Sequence, residues 1–369
     1  MLLPLPDHRR AGDAVGRDDR SGTHRSDVVA GEHVAAAAHD ARRLTAARRT
    51  GGLPVTTIAI WSNWPSTPTD FGAALPDDTL VLIKDENDLA RAAAAEVAFC
   101  GISLDRVRKL LAATPQLRWF HTPAAGVDRL LDIPDFRARG IALTNNSGSY
   151  DIQIAEHVLA FVLAASKRLH LYRDQQARRE WKDLEHDELR DQTLVVFGAG
   201  SIGGEVVRLA AAIGMRVIAV RRRPGPVPGA RKVVTPDALG AAAAEADYLV
   251  VAAPLTPATR GAISREVIAR MKKTAWIVNI ARGPIIDEGA LVDALRDGKL
   301  GGAGLDTFAR EPLPADSPLW SLPNVVVTPH ASNSSPRVRQ RTLALFLENL
   351  RRFKAGEPLL NRVDFEAGY

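Results

Sequence analysis

Three glycines and three arginines carry the first chemistry legible in this 369-residue chain. In TLVVFGAGSIGGEVVRLAAAIG, Gly198, Gly200 and Gly203 make G-x-G-x-x-G directly after a strand-like apolar run and ahead of a helical one. Glycines at that spacing allow a tight turn, let the backbone approach a pyrophosphate, and let the helix lie close to the sheet. The helix N-terminus then offers free N–H groups and a positive dipole end to the phosphates. Ser201 and Ile202 lie within this loop and belong to the same candidate cofactor site. The ligand predicted here is a dinucleotide. The bland alternative is a tight turn of another α/β protein.

The next strand, RVIAV, stops at Arg221, Arg222 and Arg223. An NAD site usually places Asp or Glu about 20 residues past the loop, on the ribose 2′-OH. Here no acid occurs between Glu205 and Asp237. A guanidinium at that strand end suits the 2′-phosphate of NADP, which it can grip bidentately. NADP is therefore the expected cofactor and NAD the alternative, with Arg221 or Arg222 the first choice of contact. Against this stands a solvated turn whose arginines bind nothing.

The elements that position these groups read as two α/β halves. From Val55, strand-like runs (VTTIAIW, TLVLIK, AEVAFCG, LRWFHTPAAG, IALTNN) alternate with helical stretches such as 103–113. A long helical run without Gly or Pro follows over 151–181 and would link one half to the next. The alternation then resumes in TLVVFGAG, RVIAV, YLVVAAP, AWIVNI, GAGLDTF and NVVVTPH, and a last helix spans 336–355. Strands alternating with helices imply parallel sheets covered on both faces. The expected fold class is α/β, with two doubly wound parallel-sheet domains.

Composition narrows the function classes. The net charge is +5 with no block of five like charges, so no nucleic-acid partner is expected. No apolar run has the roughly 18 residues of a membrane span, and MLLPLPDHRR is too short for a secretory signal. Cys100 is the only cysteine, which excludes an internal disulfide or a cysteine metal site and suits a reducing, cytoplasmic setting. No metal is expected. Residues 1–54 differ from the rest, with nine Arg, no Lys, four of the nine His and no aromatic residue. They read as a disordered extension, or as sequence ahead of a true start near Val55. Peptides from residues 1–50 in the native protein would refute the second idea.

Four ordered stretches carry a family resemblance: the glycine loop, AAPLTPATRGAIS (252–264), NIARGPIIDEGALVDAL (279–295) and AGLDTFAREPLPADSPLWSLPNVVVTPHAS (303–332). Over about residues 55–360 the chain resembles the D-isomer-specific 2-hydroxyacid dehydrogenases, in particular glyoxylate/hydroxypyruvate reductases. The resemblance implies a Rossmann-type cofactor domain (151–325) inserted into a flavodoxin-like substrate domain (55–150 and 326–369), with the active site between them. It places the catalytic Arg on Arg282, the acid on Glu311 and the His on His330. It places the substrate carboxylate on backbone amides of Ala124, Ala125 and Gly126, together with Arg282. Pro254, Thr256, Ala281 and Asp306 would lie along the cofactor, Asp306 near the nicotinamide. It further implies a homodimer, with 170–181 as an arm. The chain departs from the family in Ala-Ser-Asn-Ser-Ser after TPH and in Thr307, which bears on substrate choice rather than chemistry.

Those residue types suit reduction of a 2-oxo acid. Imidazole titrates near working pH and is suited to donating a proton. A carboxylate such as Glu311 favours the charged imidazole and orients it. Arg282 stays charged and can grip a carboxylate throughout. Each residue also has an ordinary reading: His330 a loop histidine, Glu311 a loop acid, Arg282 a surface charge. His157 beside Glu156 reads as structural, His121 as cleft lining at most, Trp181 and Trp320 as packing or subunit anchors, and Cys100 as a small buried residue. The expectation is NADPH-dependent reduction of a small 2-oxo acid to the D-2-hydroxy acid. The alternatives are an NAD-dependent D-2-hydroxyacid or phosphoglycerate-type dehydrogenase and a non-catalytic NAD(P)H-sensing protein.

Overall fold

Short apolar runs without polar alternation become the strands, because parallel strands covered on both faces bury every side chain. TLVVF, YLVV and VAFC are buried at each position. The computed structural model describes residues 54–63, 67–223 and 225–369, so the reading of 1–54 falls, Pro54 apart, outside the described residues.

Strands β1 (Thr57–Trp61), β2 (Thr79–Leu82), β3 (Val97–Cys100), β4 (Trp119–His121) and β5 (Ala142–Thr144) form a sheet in the order β2-β1-β3-β4-β5. Every pairing is parallel, with Ile58 opposite Leu80 on one side and Val97 on the other. That order is the flavodoxin-like one. Helices α1 (Thr67–Ala74), α2 (Leu104–Ala113) and α3 (Pro134–Ala138) lie between its strands.

Helices α4 (Asp151–Ser166) and α5 (Leu169–Arg178) lead to the second sheet. Its strands are β6 (Thr193–Phe197), β7 (Arg216–Val220), β8 (Lys232–Val234), β9 (Tyr248–Val251), β10 (Trp276–Asn279), β11 (Gly302–Leu305) and β12 (Val325–Val327). They run parallel in the order β12-β11-β10-β9-β6-β7-β8. The order reverses between β6 and β9, the crevice where such sheets bind ligands. Helices α6 (Ser201–Ala212), α7 (Leu239–Glu245), α8 (Arg265–Arg270) and α9 (Glu288–Arg296) complete this layer. Helix α10 (Arg337–Ala355) returns to the first sheet, where Phe346 stacks on Trp119 with ring centroids 5.1 Å apart.

Three sequence expectations are corrected. The helix over 151–181 is two helices, broken at Arg168, whose φ of 54° is left-handed. The break is stabilised from a distance: Ser166 Oγ donates to Asp187 O at 2.6 Å and Arg168 Nε to Glu185 O at 3.0 Å. Strand β8 was not anticipated; it is a three-residue edge strand. And β12 pairs wholly with β11, so a boundary drawn at 325/326 moves beyond Val327. No helix of the described residues is long and apolar enough to cross a membrane.

Candidate active site

The strand ends of the two sheets face a cleft of about 1090 Å³. Its glycine loop is shaped by close approach. Gly198 has φ of 100°, and a Cβ there would lie 2.3 Å from Ala253 N. A Cβ on Gly203 would lie 2.1 Å from Gly198 O, so α6 can seat against the turn only without one. Gly200 is different: a Cβ would meet nothing within 4 Å, and this open side is room for a pyrophosphate at the start of α6. Ser201 Oγ donates to buried Asp151 at the start of α4. Burial pushes the Asp151 carboxyl up, and the Ser201 bond opposes that.

Arg221, Arg222 and Arg223 line the same cleft at the end of β7, with Arg221 N donating to Val234 O at 3.0 Å. Among the described residues none of the three forms an ion pair, although Asp364 is close enough for Arg222 and Arg223 to lower its pKa. Ser201, Ile202, Pro254, Thr256 and Ala281 also line it. The Pro254–Thr256 turn is held by Thr259, whose Oγ1 accepts from Thr256 N at 2.8 Å and donates to Pro254 O at 2.6 Å. Together these features fit a dinucleotide.

The loop at residues 123–126 lines the same cleft as the glycine loop. Carbonyls of the 122–126 loop are tied down by hydrogen bonds: Asn146 N donates to Ala124 O at 2.9 Å and Asn145 Nδ2 to Ala125 O at 2.9 Å. Tyr150 Oη donates to Pro123 O at 2.5 Å. The N–H groups of Ala125 and Gly126 have no acceptor among the described residues, and both residues line the cleft. Two uncommitted amides beside an arginine are what a carboxylate needs. Arg282 reaches them after β10, its turn pinned by buried Asn279, whose Oδ1 accepts from Ala281 N at 3.0 Å and whose Nδ2 donates to Arg282 O at 3.2 Å. Its Nε and Nη2 donate to one oxygen of Asp128 at 3.2 and 3.1 Å.

His330 lies beyond β12 and lines the cleft. Its Nδ1 is 2.8 Å from Glu311 Oε2, and Glu311 Oε1 accepts from Phe308 N at 3.0 Å. His330 has a left-handed φ of 51°, and its N–H donates to Asp306 O at 2.9 Å. With Nδ1 directed at a carboxylate, Nε2 is the nitrogen left for a reacting group. The structure therefore brings Arg282, Glu311, His330 and the 124–126 loop together.

Asp306 is the correction. Expected near the nicotinamide, it is fully buried and absent from the cleft wall. Its oxygens accept from Thr328 Oγ1 (2.5 Å), Ala331 N (2.8 Å) and Ser332 N (3.1 Å), so it shapes the His330 loop from beneath. Burial pushes its carboxyl up, but those bonds outweigh burial and leave it below the usual range. Sequence reasoning missed Asp128, Asn145, Asn146 and Tyr150. The signal available was an acid in TPAAGVD and a polar run, NNSGSYD, at the end of a strand.

His121 lies inside the first sheet rather than in the cleft. It is fully buried, and its Nδ1 is 2.8 Å from Thr144 Oγ1. His157 joins α4 to the end of β12, its Nε2 lying 3.1 Å from Thr328 Oγ1. Cys100 is buried, and burial pushes its thiol up to about 12.

Comparison with known proteins agrees with this architecture. A family model described as D-isomer specific 2-hydroxyacid dehydrogenase, NAD binding domain, matches residues 159–332. A glyoxylate reductase of Korarchaeum cryptofilum is 36% identical over 264 residues, covering 69% of this chain and 78% of that protein. A D-3-phosphoglycerate dehydrogenase of Methanocaldococcus jannaschii is 36% identical over 260 residues, 70% of this chain but 49% of that longer protein. Among solved structures, an NADPH-dependent glyoxylate/hydroxypyruvate reductase from Sinorhizobium meliloti, in complex with NADP and sulfate, superposes with a TM-score of 0.75 at 29% identity. It covers 85% of this chain and 100% of its own. Two parallel α/β layers, a glycine-loop crevice and these relatives lead to one conclusion: the chain belongs to the D-isomer specific 2-hydroxyacid dehydrogenase family, whose members are NAD(P)-dependent dehydrogenases and reductases.

Proposed function

We propose that this enzyme reduces a small 2-oxo acid, of the glyoxylate or hydroxypyruvate type, to the D-2-hydroxy acid, and prefers NADPH. The observation that carries the reading is convergence on one cleft. Unaccepted amides at Ala125 and Gly126, the Arg282 guanidinium and a Glu311-backed His330 face the glycine loop and an unpaired arginine cluster. The likeness to the Sinorhizobium meliloti reductase supports both substrate class and cofactor.

In this reading the first sheet with α10 holds the substrate and the second sheet holds the cofactor. The Ala125 and Gly126 amides bind the substrate carboxylate with Arg282, which also polarises the 2-oxo group. A nicotinamide bound here supplies the hydride to C2. His330 Nε2 gives its proton to the carbonyl oxygen as that oxygen gains charge, and Glu311 stabilises the imidazolium beforehand. Oxidation of the D-2-hydroxy acid uses the same groups in reverse. We also place the enzyme in the cytoplasm as a homodimer. The half-exposed Leu169, which opens α5, and the fully exposed Trp181 beyond its end support an arm that a second copy covers.

A second reading, an NAD-dependent phosphoglycerate-type activity, draws on the Methanocaldococcus jannaschii relative, but the arginine cluster weighs against it. The deciding experiment compares kcat/KM for NADPH and NADH, with glyoxylate and hydroxypyruvate, in the wild type and an Arg221→Ala/Arg222→Ala variant. A clear NADPH advantage that the variant loses, with NADH little changed, is the expected result. Equal or better use of NADH by the wild type overturns the cofactor preference. No turnover of any 2-oxo acid moves the protein to the non-catalytic sensing class.

A further inference from the structure

The segment 363–369 belongs by packing to the first sheet but reaches the arginines of the second. Val363 is buried in the first sheet's core, and its N–H donates to Leu143 O at 2.8 Å. Arg137 covers the Phe365 ring at 5.4 Å from its centroid and donates to Phe365 O at 2.8 Å. A tight turn follows: Asp364 Oδ1 accepts from Glu366 N and Ala367 N at 2.9 and 3.0 Å, and Gly368 N donates to Asp364 O at 2.8 Å. Gly368 has φ of 80°, and a Cβ there would lie 3.3 Å from Thr256 Cγ2 and 3.8 Å from Leu131 Cδ1. The tip of the turn thus sits between the two halves. Tyr369 then meets Arg222, whose Cζ stands 5.0 Å from its ring centroid. Ala367 and Tyr369 line the same cleft as Arg221, Arg222 and Arg223.

An exposed arginine at a strand end samples many rotamers, and holding one of them to grip a phosphate costs conformational entropy. An aromatic face beneath the guanidinium plane holds that plane while leaving its N–H edge free for an oxyanion. Asp364 spends Oδ1 on its own turn; the charges of Arg222 and Arg223 help to hold its carboxyl below the usual range, but it forms no ion pair with either. The ring is therefore the segment's direct contact with Arg222.

We propose that Tyr369 is a specificity-determining positioning residue for the 2′-phosphate of the cofactor. Its ring seats Arg222, and because it comes from the substrate-binding half, the adenosine end of the cofactor is closed by both halves of the molecule. The proposal rests on the NADPH reading above.

The test measures NADPH and NADH dissociation constants by fluorescence titration, and kcat/KM for each, in wild type, Tyr369→Ala and Tyr369→Phe. Tyr369→Ala is expected to weaken NADPH binding by about three- to thirtyfold and to leave NADH little changed. Tyr369→Phe, which keeps the ring, is expected to retain the wild-type ratio. If the wild type prefers NADPH and Tyr369→Ala keeps that preference, Tyr369 has no such role and the NADPH reading stands. Equal loss of both cofactors also overturns the proposal, since the effect would not concern the 2′-phosphate. A wild type without NADPH preference removes the NADPH reading, and this proposal with it.

Discussion

Arg282 and Asp128 form an ion pair across the cleft, with two guanidinium nitrogens 3.2 and 3.1 Å from a single carboxylate oxygen. The aspartate comes from the loop after β4 and the arginine from the turn after β10. Asp128 thus orients the guanidinium, but its charge also opposes a second carboxylate arriving at Arg282. Like charges about 4 Å apart repel by roughly 1 kcal/mol even in water-like surroundings. Asp128→Asn keeps an acceptor for Arg282 and removes the repulsion. Steady-state kinetics should show KM for the 2-oxo acid about fivefold lower, with kcat within about twofold. A higher KM would mean that the full negative charge is needed to hold Arg282.

Gly126 gives a sharper test of the same site. A Cβ on it would lie 1.9 Å from Arg282 Nη2, so Gly126→Ala must push the guanidinium aside. The displaced atom is the far end of a flexible side chain, so stability should fall by less than about 1 kcal/mol in a urea titration. Activity should fall far more, because in the proposed mechanism a misplaced guanidinium would lose both the carboxylate grip and the polarised carbonyl. A loss of at least about 100-fold in kcat/KM with unchanged NADPH affinity is expected. Near-normal turnover would show that substrate binding does not use this arrangement.

How much of this was legible beforehand depends on how local each cause is. The strands were legible because burial on both faces demands unbroken apolar runs, and VAFC or TLVVF cannot be much else. The glycine loop was legible because close approach at Gly198 and Gly203 leaves no room for any side chain. The break at Arg168 was hidden, since it depends on carbonyls of residues 185 and 187 that no local pattern announces. Asp306 misled for the opposite reason. The family resemblance placed it along the cofactor, whereas here three donors from residues 328–332 claim it. The Tyr369–Arg222 contact joins residues far apart in sequence and could not be read from either stretch alone.

The Glu311–His330 contact of 2.8 Å predicts a graded pair of mutants. His330→Gln removes the proposed proton donor, and general acid catalysis contributes about 10²–10⁴-fold, so kcat should fall by that much while NADPH still binds. Glu311→Gln keeps an acceptor for Nδ1–H but loses its charge. A charge-assisted hydrogen bond is roughly twice as strong as a neutral one, so kcat should fall about tenfold. Single-turnover reduction separates these effects from product release. An unchanged rate in Glu311→Gln would show that the carboxylate orients His330 without its charge mattering.

His121 predicts a pH dependence of folding rather than of catalysis. Trp119 Nε1 donates to Thr144 Oγ1 at 2.8 Å, so the threonine hydroxyl can donate onward to His121 Nδ1, also at 2.8 Å. The ring stacks on Phe99 at 5.6 Å, and buried Nε2 has no hydrogen-bond partner. Burial lowers the His121 pKa from 6.5 to about 3, so the folded protein keeps it neutral where the unfolded chain protonates it. The folded value lies below the unfolded one, so the penalty is absent above the unfolded pKa and grows as pH falls. Its slope is ~1.4 kcal/mol per pH unit, which makes about 2 kcal/mol between pH 7.5 and pH 5. His121→Phe fills the aromatic site without a titrating group. Urea unfolding across that range should show the wild type losing about 2 kcal/mol more than the variant. Parallel pH profiles for the two would mean that His121 titrates alike in the folded and unfolded states.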